Sequence, residues 1–133
     1  WSSDVCSSDL TASAKLRVLV QAMLHHYDWP LWMELCVLAL RDRSAAAERD
    51  RLDRRWRAAL RAVIREGQES GEFVHGDAEE VMFVLAALLD GLAPLLAVKA
   101  KGVTRERAER VWLAEAARLL GPGFDARPLK RPR

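Results

Sequence analysis

The sequence predicts an all-α domain of five helices. Apolar residues recur at spacings of three and four along five segments, and turn-forming residues separate most of these segments. No stretch alternates between apolar and polar residues in the way a half-buried strand does. At 133 residues, half of them hydrophobic and 30% charged, the chain has the length and composition of one globular domain.

The first helix is predicted over Thr11–His26. His25 and His26 lie at its C-terminal end, where histidine interacts favourably with the helix dipole. The second-shell ligands that a metal site needs are not visible nearby, so capping is favoured over metal binding. The sequence thus predicts no metal and no cofactor. The apolar stripe of this helix consists of Leu16, Leu19, Val20, Met23 and Tyr27.

The second helix is predicted to begin at Asp28, whose carboxylate can cap it, with Pro30 tolerated in the first turn. Residues 31–40 contain one polar side chain, so we expect this helix to be nearly as buried as the central helix described below. Its large side chains could line a cavity, although membership of an ordinary core explains them equally well. They are Trp32, Met33 and Cys36.

The third helix is rich in arginine, with nine between residues 41 and 65. Such a run raises the possibility of nucleic-acid binding. An apolar stripe runs along the same segment, however, and this places the arginines on the solvated face of an amphipathic helix. The sequence therefore favours a surface helix over direct DNA contact. The stripe consists of Leu52, Trp56, Leu60, Val63, Ile64 and Gly67.

The central helix is predicted over residues 77–99 and is apolar on every side. Between residues 81 and 98 only Asp90, Gly91 and Pro94 interrupt the apolar run. A helix of this kind must be covered all round, by its own chain on one face and by lipid or a second protein molecule on the other. Lipid is the poorer choice because the run is short for a span and Asp90 lies in its middle. We therefore expect no membrane insertion.

The last helix is predicted from Thr104 to about Leu120, where Gly121-Pro122-Gly123 stops it. Residues 122–133 are basic and proline-spaced, so they are predicted to be a disordered tail. Residues 1–10, WSSDVCSSDL, have no helical or strand period and resemble the translation of a sequencing-adapter oligonucleotide. We expect them to lie outside the fold, which leaves residues 11–121 as the domain.

The order of these helices resembles the C-terminal region of TetR-family transcriptional repressors. The likeness covers about residues 11–121 and is closest to the branch that includes the choline-responsive repressors. It is carried by WRAALRAVIREGQESGEF at residues 56–73, by Asp77-Ala78-Glu79-Glu80, and by LAALLDGLAPLL at residues 85–96. Its most specific marks are the Glu66-Gly67 and Gly71-Glu72-Phe73 steps and the Asp90-Gly91 pair.

The resemblance implies a cytoplasmic regulator that senses a small apolar effector and forms a homodimer, with the last two long helices of each subunit in a four-helix bundle. It also implies that operator DNA is bound only through an N-terminal helix-turn-helix, in whose place this sequence has the adapter-like decapeptide. The alternative is a stand-alone helical protein-interaction module. No constellation of catalytic residues is convincing, so an enzyme is not predicted.

Two sets of site residues follow from the helical faces. Large aromatic and flexible side chains from four helices are expected to converge on a ligand cavity. They are Met23, Tyr27, Trp32, Met33, Cys36, Trp56, Leu60 and Phe83. The second apolar face of the central helix, with part of the last helix, is expected to form the dimer interface. It comprises Val84, Leu88, Gly91, Leu92, Leu95, Trp112, Ala116 and Leu119.

Overall fold

The computed structural model of the chain describes residues 9–131. Five helices and no strand are present in that range, which confirms the predicted fold class. We expected residues 1–10 to lie outside the fold. Residues 1–8 are outside the described range, so this expectation stays a prediction for them. The helices are α1 (Ala12–His25), α2 (Trp29–Ala39), α3 (Arg43–Glu69), α4 (Ala78–Ala97) and α5 (Arg105–Leu120).

Every helix begins at a side-chain cap. The carboxylates of Asp28, Asp42 and Asp77 accept hydrogen bonds from amides in the first turns of α2, α3 and α4. The hydroxyl oxygens of Thr11 and Thr104 do the same for α1 and α5. These bonds satisfy amides that have no partner within the helix, which explains why each helix begins where it does.

The core lies between α1, α3, α4 and α5. Leu16 of α1, Ile64 of α3, Leu85 of α4 and Leu120 of α5 are completely buried in it. Trp112 of α5 is buried among them, and its indole N–H donates to the backbone carbonyl of Leu85 over 3.1 Å. A buried indole needs such a partner, so this bond helps to fix α5 against α4.

The end of α3 depends on a glycine at position 67. The aromatic ring of Phe73 folds back onto the helix, and a Cβ atom added at Gly67 would lie 2.1 Å from Phe73 Cδ2. The backbone N–H of Phe73 also donates to the Gly67 carbonyl over 2.8 Å. Glycine is needed here to give the ring room, and the loop to α4 starts from this contact.

The expectation of a buried second helix is wrong. Only Trp29 of α2 is buried, and α2 lies on the surface against α3 and α4. A run of apolar residues shows that a helix could be covered, but it does not show that the same chain supplies the cover. The large apolar side chains that α2 exposes to solvent are Leu31, Val37 and Leu38, followed by Leu40 at its C-cap.

The expectation of a disordered tail is also wrong for the part of it that the structure describes. Residues 122–131, called the strap below, run back across α1. Phe124 is 5% exposed and packs edge-on against Trp112 and beside Phe73, with ring centroids 6.4 Å apart in both pairs. Leu129 is buried as well. Two isolated apolar residues in a basic, proline-spaced segment have no period, so the sequence pattern did not reveal that they are anchors.

Polar side chains of α1 hold the backbone of the strap. Arg17 donates to the carbonyl oxygens of Asp125 and Arg127, both over 2.7 Å, and to that of Pro128 over 3.2 Å. Ser13 Oγ accepts from the Asp125 amide over 2.8 Å. These contacts satisfy backbone groups of an irregular segment, which is what docking such a segment on a helix requires.

Candidate functional site

A cavity of about 340 Å³ opens between the end of α1, α2, α3 and α4. Its walls are mainly apolar and aromatic, with a few polar groups among them, as in many small-molecule sites. Two carboxylates, a histidine, an arginine and a tyrosine are the charged or titratable members of the lining. The lining residues are Ala22, Met23, His26, Tyr27, Trp29, Trp32, Leu52, Asp53, Arg55, Trp56 and Asp90.

Three aromatic rings at the start of α2 form one wall of this cavity. Trp29 is buried, and its indole N–H donates to the Met23 carbonyl over 2.7 Å. The ring of Tyr27 meets Trp29 and Trp32 edge-on, at centroid distances of 5.1 and 6.4 Å. Burial raises the pKa of the Tyr27 hydroxyl, so this group stays protonated and can donate a hydrogen bond at neutral pH.

Two carboxylates form the polar part of the lining and share one guanidinium. Arg57 Nε lies 2.9 Å from an oxygen of Asp53, and its Nη2 lies 3.4 Å from an oxygen of Asp90. Burial raises the pKa of Asp90, and the charge of Arg57 only partly opposes this effect. The same guanidinium stacks over the ring of Phe83, 5.5 Å from its centroid. Arg57 therefore joins α3 to α4 beside the cavity.

A second depression, called the groove below, lies on the other side of Asp53 and Asp90. It has a volume of about 410 Å³ and is bounded by α2, α3 and α4. Burial raises the pKa of the Cys36 thiol, whereas the charge of Arg49 lowers it. The groove residues are Trp32, Met33, Cys36, Val37, Arg49, Asp53, Arg57, Asp90 and Pro94.

The predicted ligand residues lie in the cavity, in the groove, in the core and on the surface. Met23, Tyr27, Trp32 and Trp56 line the cavity. Met33 and Cys36 line the groove, Leu60 is packed into the core, and Phe83 is 55% exposed beneath Arg57. The cavity assignment of these last four residues is therefore corrected.

Sequence reasoning missed two members of the cavity, Trp29 and Asp53. Trp29 lies between Asp28 and Pro30, which mark a helix start but give no sign of a cavity. Asp53 precedes Arg57 by four residues, a spacing at which opposite charges meet on one helix face. This spacing could have predicted that Arg57 holds the Asp53 carboxylate beside the apolar stripe of the third helix.

α4 exposes an apolar arc on the side away from Asp90. Ala86 lies on the opposite side and is completely buried, and Asp90 lies toward α3, where it faces Arg57. None of the arc residues is charged, and they follow one another at spacings of three and four along the helix. Together they form one continuous surface. The arc consists of the exposed Ala87, Gly91 and Leu95 and the half-buried Val84 and Leu88, with Leu92 half-buried at its edge.

Trp112 and Ala116 cannot contribute to a contact with a second molecule. Both side chains are buried in the core of this chain, against α4, so their assignment to the dimer interface is wrong. The apolar stripe of α5 had been attributed to a partner, but α4 already covers it. Leu119, at the edge of that stripe, is half-buried, and Val111 is exposed.

By length and composition, α4 is also the one helix of the described residues that could cross a membrane. Core helices of soluble proteins satisfy the same criterion. In its most apolar 18-residue window 28% of the residues are buried within the chain, and most of the others are half-buried, so the fold covers this helix only in part. Asp90 and its ion pair with Arg57 lie within the same stretch, where a charge in lipid would be costly.

The predicted histidine cap makes a more specific contact than expected. His25 Nε2 lies 2.9 Å from a carboxylate oxygen of Glu109, and Arg105 donates to the Leu24 carbonyl over 3.0 Å beside it. These contacts tie the end of α1 to the start of α5. Within residues 9–131, no group of His, Cys, Asp and Glu side chains is arranged to hold a metal ion.

Comparison with known proteins gives a single clear result. The family described as the C-terminal domain of BetI-type transcriptional repressors matches residues 12–121. No curated protein and no solved structure matches the chain. The match runs from the first residue of α1 to the glycine after α5, and the strap lies wholly beyond it. The chain therefore belongs to the family of BetI-type transcriptional repressor C-terminal domains.

Proposed function

We propose that this domain senses a small effector and dimerises as part of a transcriptional regulator. Family membership supports the regulatory role. The observation that carries the finer proposal is the position of α4, which contributes Asp90 to the cavity and presents an apolar arc on its other side. In this proposal, operator contacts are made in the cytoplasm by a separate helix-turn-helix segment, as in the TetR-family repressors that the sequence resembles.

Effector binding is supported by the composition of the cavity. Its aromatic walls offer apolar area to a small molecule, while the hydroxyl of Tyr27 and the carboxylates of Asp53 and Asp90 can orient a polar group. Its volume of about 340 Å³ is large enough for a small organic molecule. The effector in this proposal is therefore a small, largely apolar compound.

Tryptophan fluorescence tests this part of the proposal, because three of the five tryptophans line the cavity. A panel of apolar and amphiphilic compounds should contain some that change the emission saturably. Trp32→Leu, at a half-buried position in the wall, should weaken that response. Trp112→Phe is the matched control, because Trp112 lies in the core outside the cavity lining. A panel without any saturable response would contradict effector sensing.

Dimerisation is supported by the arc of α4. An uncharged, continuous helix surface of this length is larger than the isolated apolar side chains that soluble monomers usually expose. Two-fold pairing solves the problem, since one self-complementary surface then covers two copies of itself. The interface in this proposal keeps the predicted α4 residues and Leu119 and adds Val111 in place of Trp112 and Ala116. It comprises Val84, Leu88, Gly91, Leu92, Leu95, Val111 and Leu119.

Sedimentation equilibrium at micromolar protein tests the dimer. Leu88→Arg should convert a dimer into a monomer, because it places an unpaired charge within the contact. Val37→Arg is the matched control: it makes the same kind of change at an exposed apolar position of α2, and it should leave the dimer intact. If the unmutated chain is a soluble monomer, the dimer is refuted. If Leu88→Arg stays fully dimeric, the interface lies elsewhere.

The exposed apolar side chains of α2 favour a second candidate, a helical protein-interaction module. Leu31 and Val37 are each 61% exposed, although leucine and valine are usually buried. This candidate needs neither an effector nor a dimer. A chain that is monomeric at micromolar concentration, and whose fluorescence does not respond to the compound panel, would favour it over effector sensing.

A further inference from the structure

α2 has an apolar face that the described part of the chain leaves uncovered. Leu31 and Val37 are each 61% exposed, and Leu38 is 54% exposed. Soluble proteins usually expose large apolar side chains singly, whereas these three lie on one short helix. A depression of about 400 Å³ lies in the middle of this surface. The surface, called the α2 face below, consists of Leu31, Met33, Glu34, Val37, Leu38 and Arg41.

The charged and apolar residues of the α2 face are arranged symmetrically. Glu34 and Arg41 lie two turns apart on its midline, about 10 Å along the helix axis. Val37 and Leu38 lie between them, one on each side of the midline. After the helix ends, the amides of Leu40 and Arg41 donate to the carbonyl oxygens of Val37 and Leu38 over 3.2 and 3.0 Å. This turn keeps Arg41 at the edge of the same depression.

Such a surface is complementary to a second copy of itself. When two identical helices pack antiparallel about a two-fold axis, each residue faces the one that lies equally far on the other side of the axis. The midpoint between Glu34 and Arg41 is also the midpoint between Val37 and Leu38. An axis at this point places Glu34 of each copy opposite Arg41 of the other. The apolar side chains then meet between two ion pairs.

Neither charge of the α2 face has a partner within residues 9–131. Glu34 and Arg41 take part in no ion pair of that range, and both are exposed. Their separation of seven residues is longer than the three or four at which side chains of one helix pair. Glu34 also disfavours lipid as the cover, because helices that lie on membranes have mainly Lys and Arg as their charges, on the face opposite to the apolar one. The pattern therefore favours a protein surface of opposite charge order.

We propose that the α2 faces of two copies pack antiparallel, with Glu34 of each copy paired to Arg41 of the other. The residues of this contact do not overlap with the arc of α4, so it is separate from the dimer interface proposed above and can join two dimers. The face is about 15 Å long, and a single short helix buries much less than the roughly 1,600 Å² of a standard interface. The contact is therefore weak and forms at high local concentration.

Sedimentation equilibrium of the whole chain tests whether the contact exists. The protein is measured from about 10 μM to about 1 mM, a range chosen because contacts of this size are weak. The average mass should rise with concentration above its value at 10 μM. Val37→Arg should suppress this rise, because it places two positive side chains beside the two-fold axis. It changes an exposed position and should not affect folding, which circular dichroism checks.

The pairing of charges is tested by two single variants and their mixture. Glu34→Arg leaves two positive groups on the face and Arg41→Glu leaves two negative groups, so each variant opposes like charges when it meets itself. Each should weaken self-association by about tenfold or more, because both ion pairs become repulsive. An equimolar mixture of the two variants should associate again, since every contact between them is then attractive. The double variant with both substitutions should also recover self-association.

Matched controls carry the same charge changes on another helix. Glu69 and Arg65 are exposed near the end of α3 and lie outside the α2 face. Glu69→Arg and Arg65→Glu alter the net charge by the same amounts as the two test variants. Each control should associate as the unmutated chain does, so an effect of net charge alone is separated from an effect at the contact.

Each contrary outcome identifies what fails. If the average mass stays constant up to about 1 mM, pairing of the α2 faces is wrong. If the mass rises but Glu34→Arg, Arg41→Glu and Val37→Arg all behave like the unmutated chain, the association uses another surface. If the single variants dissociate and their mixture does not recover, the antiparallel pairing of Glu34 with Arg41 is wrong. None of these results depends on effector sensing.

Discussion

The strap gives the sharpest prediction for stability. Phe124 is buried against Phe73 and Trp112, and replacement of a buried phenylalanine by alanine costs about 3–5 kcal/mol. Domains of this size are stable by only about 5–15 kcal/mol, so Phe124→Ala should remove a large share of the free energy of unfolding. At roughly 4 °C per kcal/mol, the midpoint of thermal unfolding should fall by about 10–20 °C.

The assay is thermal and urea unfolding followed by circular dichroism, at one fixed protein concentration because dimerisation would add concentration-dependent stability. Arg127→Ala is the matched control within the strap. Its side chain is exposed and pairs with the neighbouring Asp125, so the change should leave the thermal midpoint almost unchanged. If Phe124→Ala unfolds within a degree of the unmutated chain, Phe124 is not docked and the strap is a free tail.

Three further predictions concern single side chains. Arg17→Ala should destabilise the fold, and its effect should be less than additive with that of Phe124→Ala, because both changes release the same strap. Gly67→Ala should destabilise the fold because the added Cβ would collide with the ring of Phe73, even though alanine is normally the better helix former by about 1 kcal/mol. Phe73→Leu should reduce that loss, and a double-mutant cycle of urea unfolding measures the effect. Burial raises the pKa of Asp90 above its ordinary 3.8, so the folded state binds the Asp90 proton more tightly than the unfolded state does. The contribution of Asp90 to the free energy of unfolding should therefore decline as the pH rises from about 4. Asp90→Asn should flatten that decline.

The sequence predicted well what depends on local chemistry. Asp28 was recognised as a helix cap because a cap acts on amides two or three residues away, and the structure confirms it. The order and type of the five helices follow in the same way from periodicity and turn residues. These features need no knowledge of what lies far away in the chain.

The features that could not be predicted depend on contacts between distant residues. The apolar stripe of α5, which contains Trp112, and the apolar run of α2 both predicted a buried helix face. The stripe of α5 is covered by α4, whereas most of the run of α2 is open to solvent. Periodicity locates an apolar face but does not say which surface will meet it. Phe124 is fixed by rings from two other parts of the chain, and Arg17 reaches across more than one hundred residues to the strap. No local pattern encodes such pairings.

The site carries a consequence for how an effector could act. Asp90 and Gly91 are neighbours on α4, but Asp90 faces the cavity and Arg57 whereas Gly91 lies on the exposed arc. Arg57 contacts both Asp53 and Asp90 and is the ion-pair link from α3 to this part of α4, so an effector in the cavity lies next to that link. Effector binding and dimerisation in the proposed scheme therefore act on the same helix.

If effector binding and dimerisation are coupled, thermodynamic linkage requires the coupling to be reciprocal. The factor by which the effector changes the dimer dissociation constant must equal the factor by which dimerisation changes the affinity for the effector. Measuring effector affinity in the Leu88→Arg monomer and in the unmutated dimer gives that factor directly, and equal affinities in the two would mean that α4 does not transmit the signal.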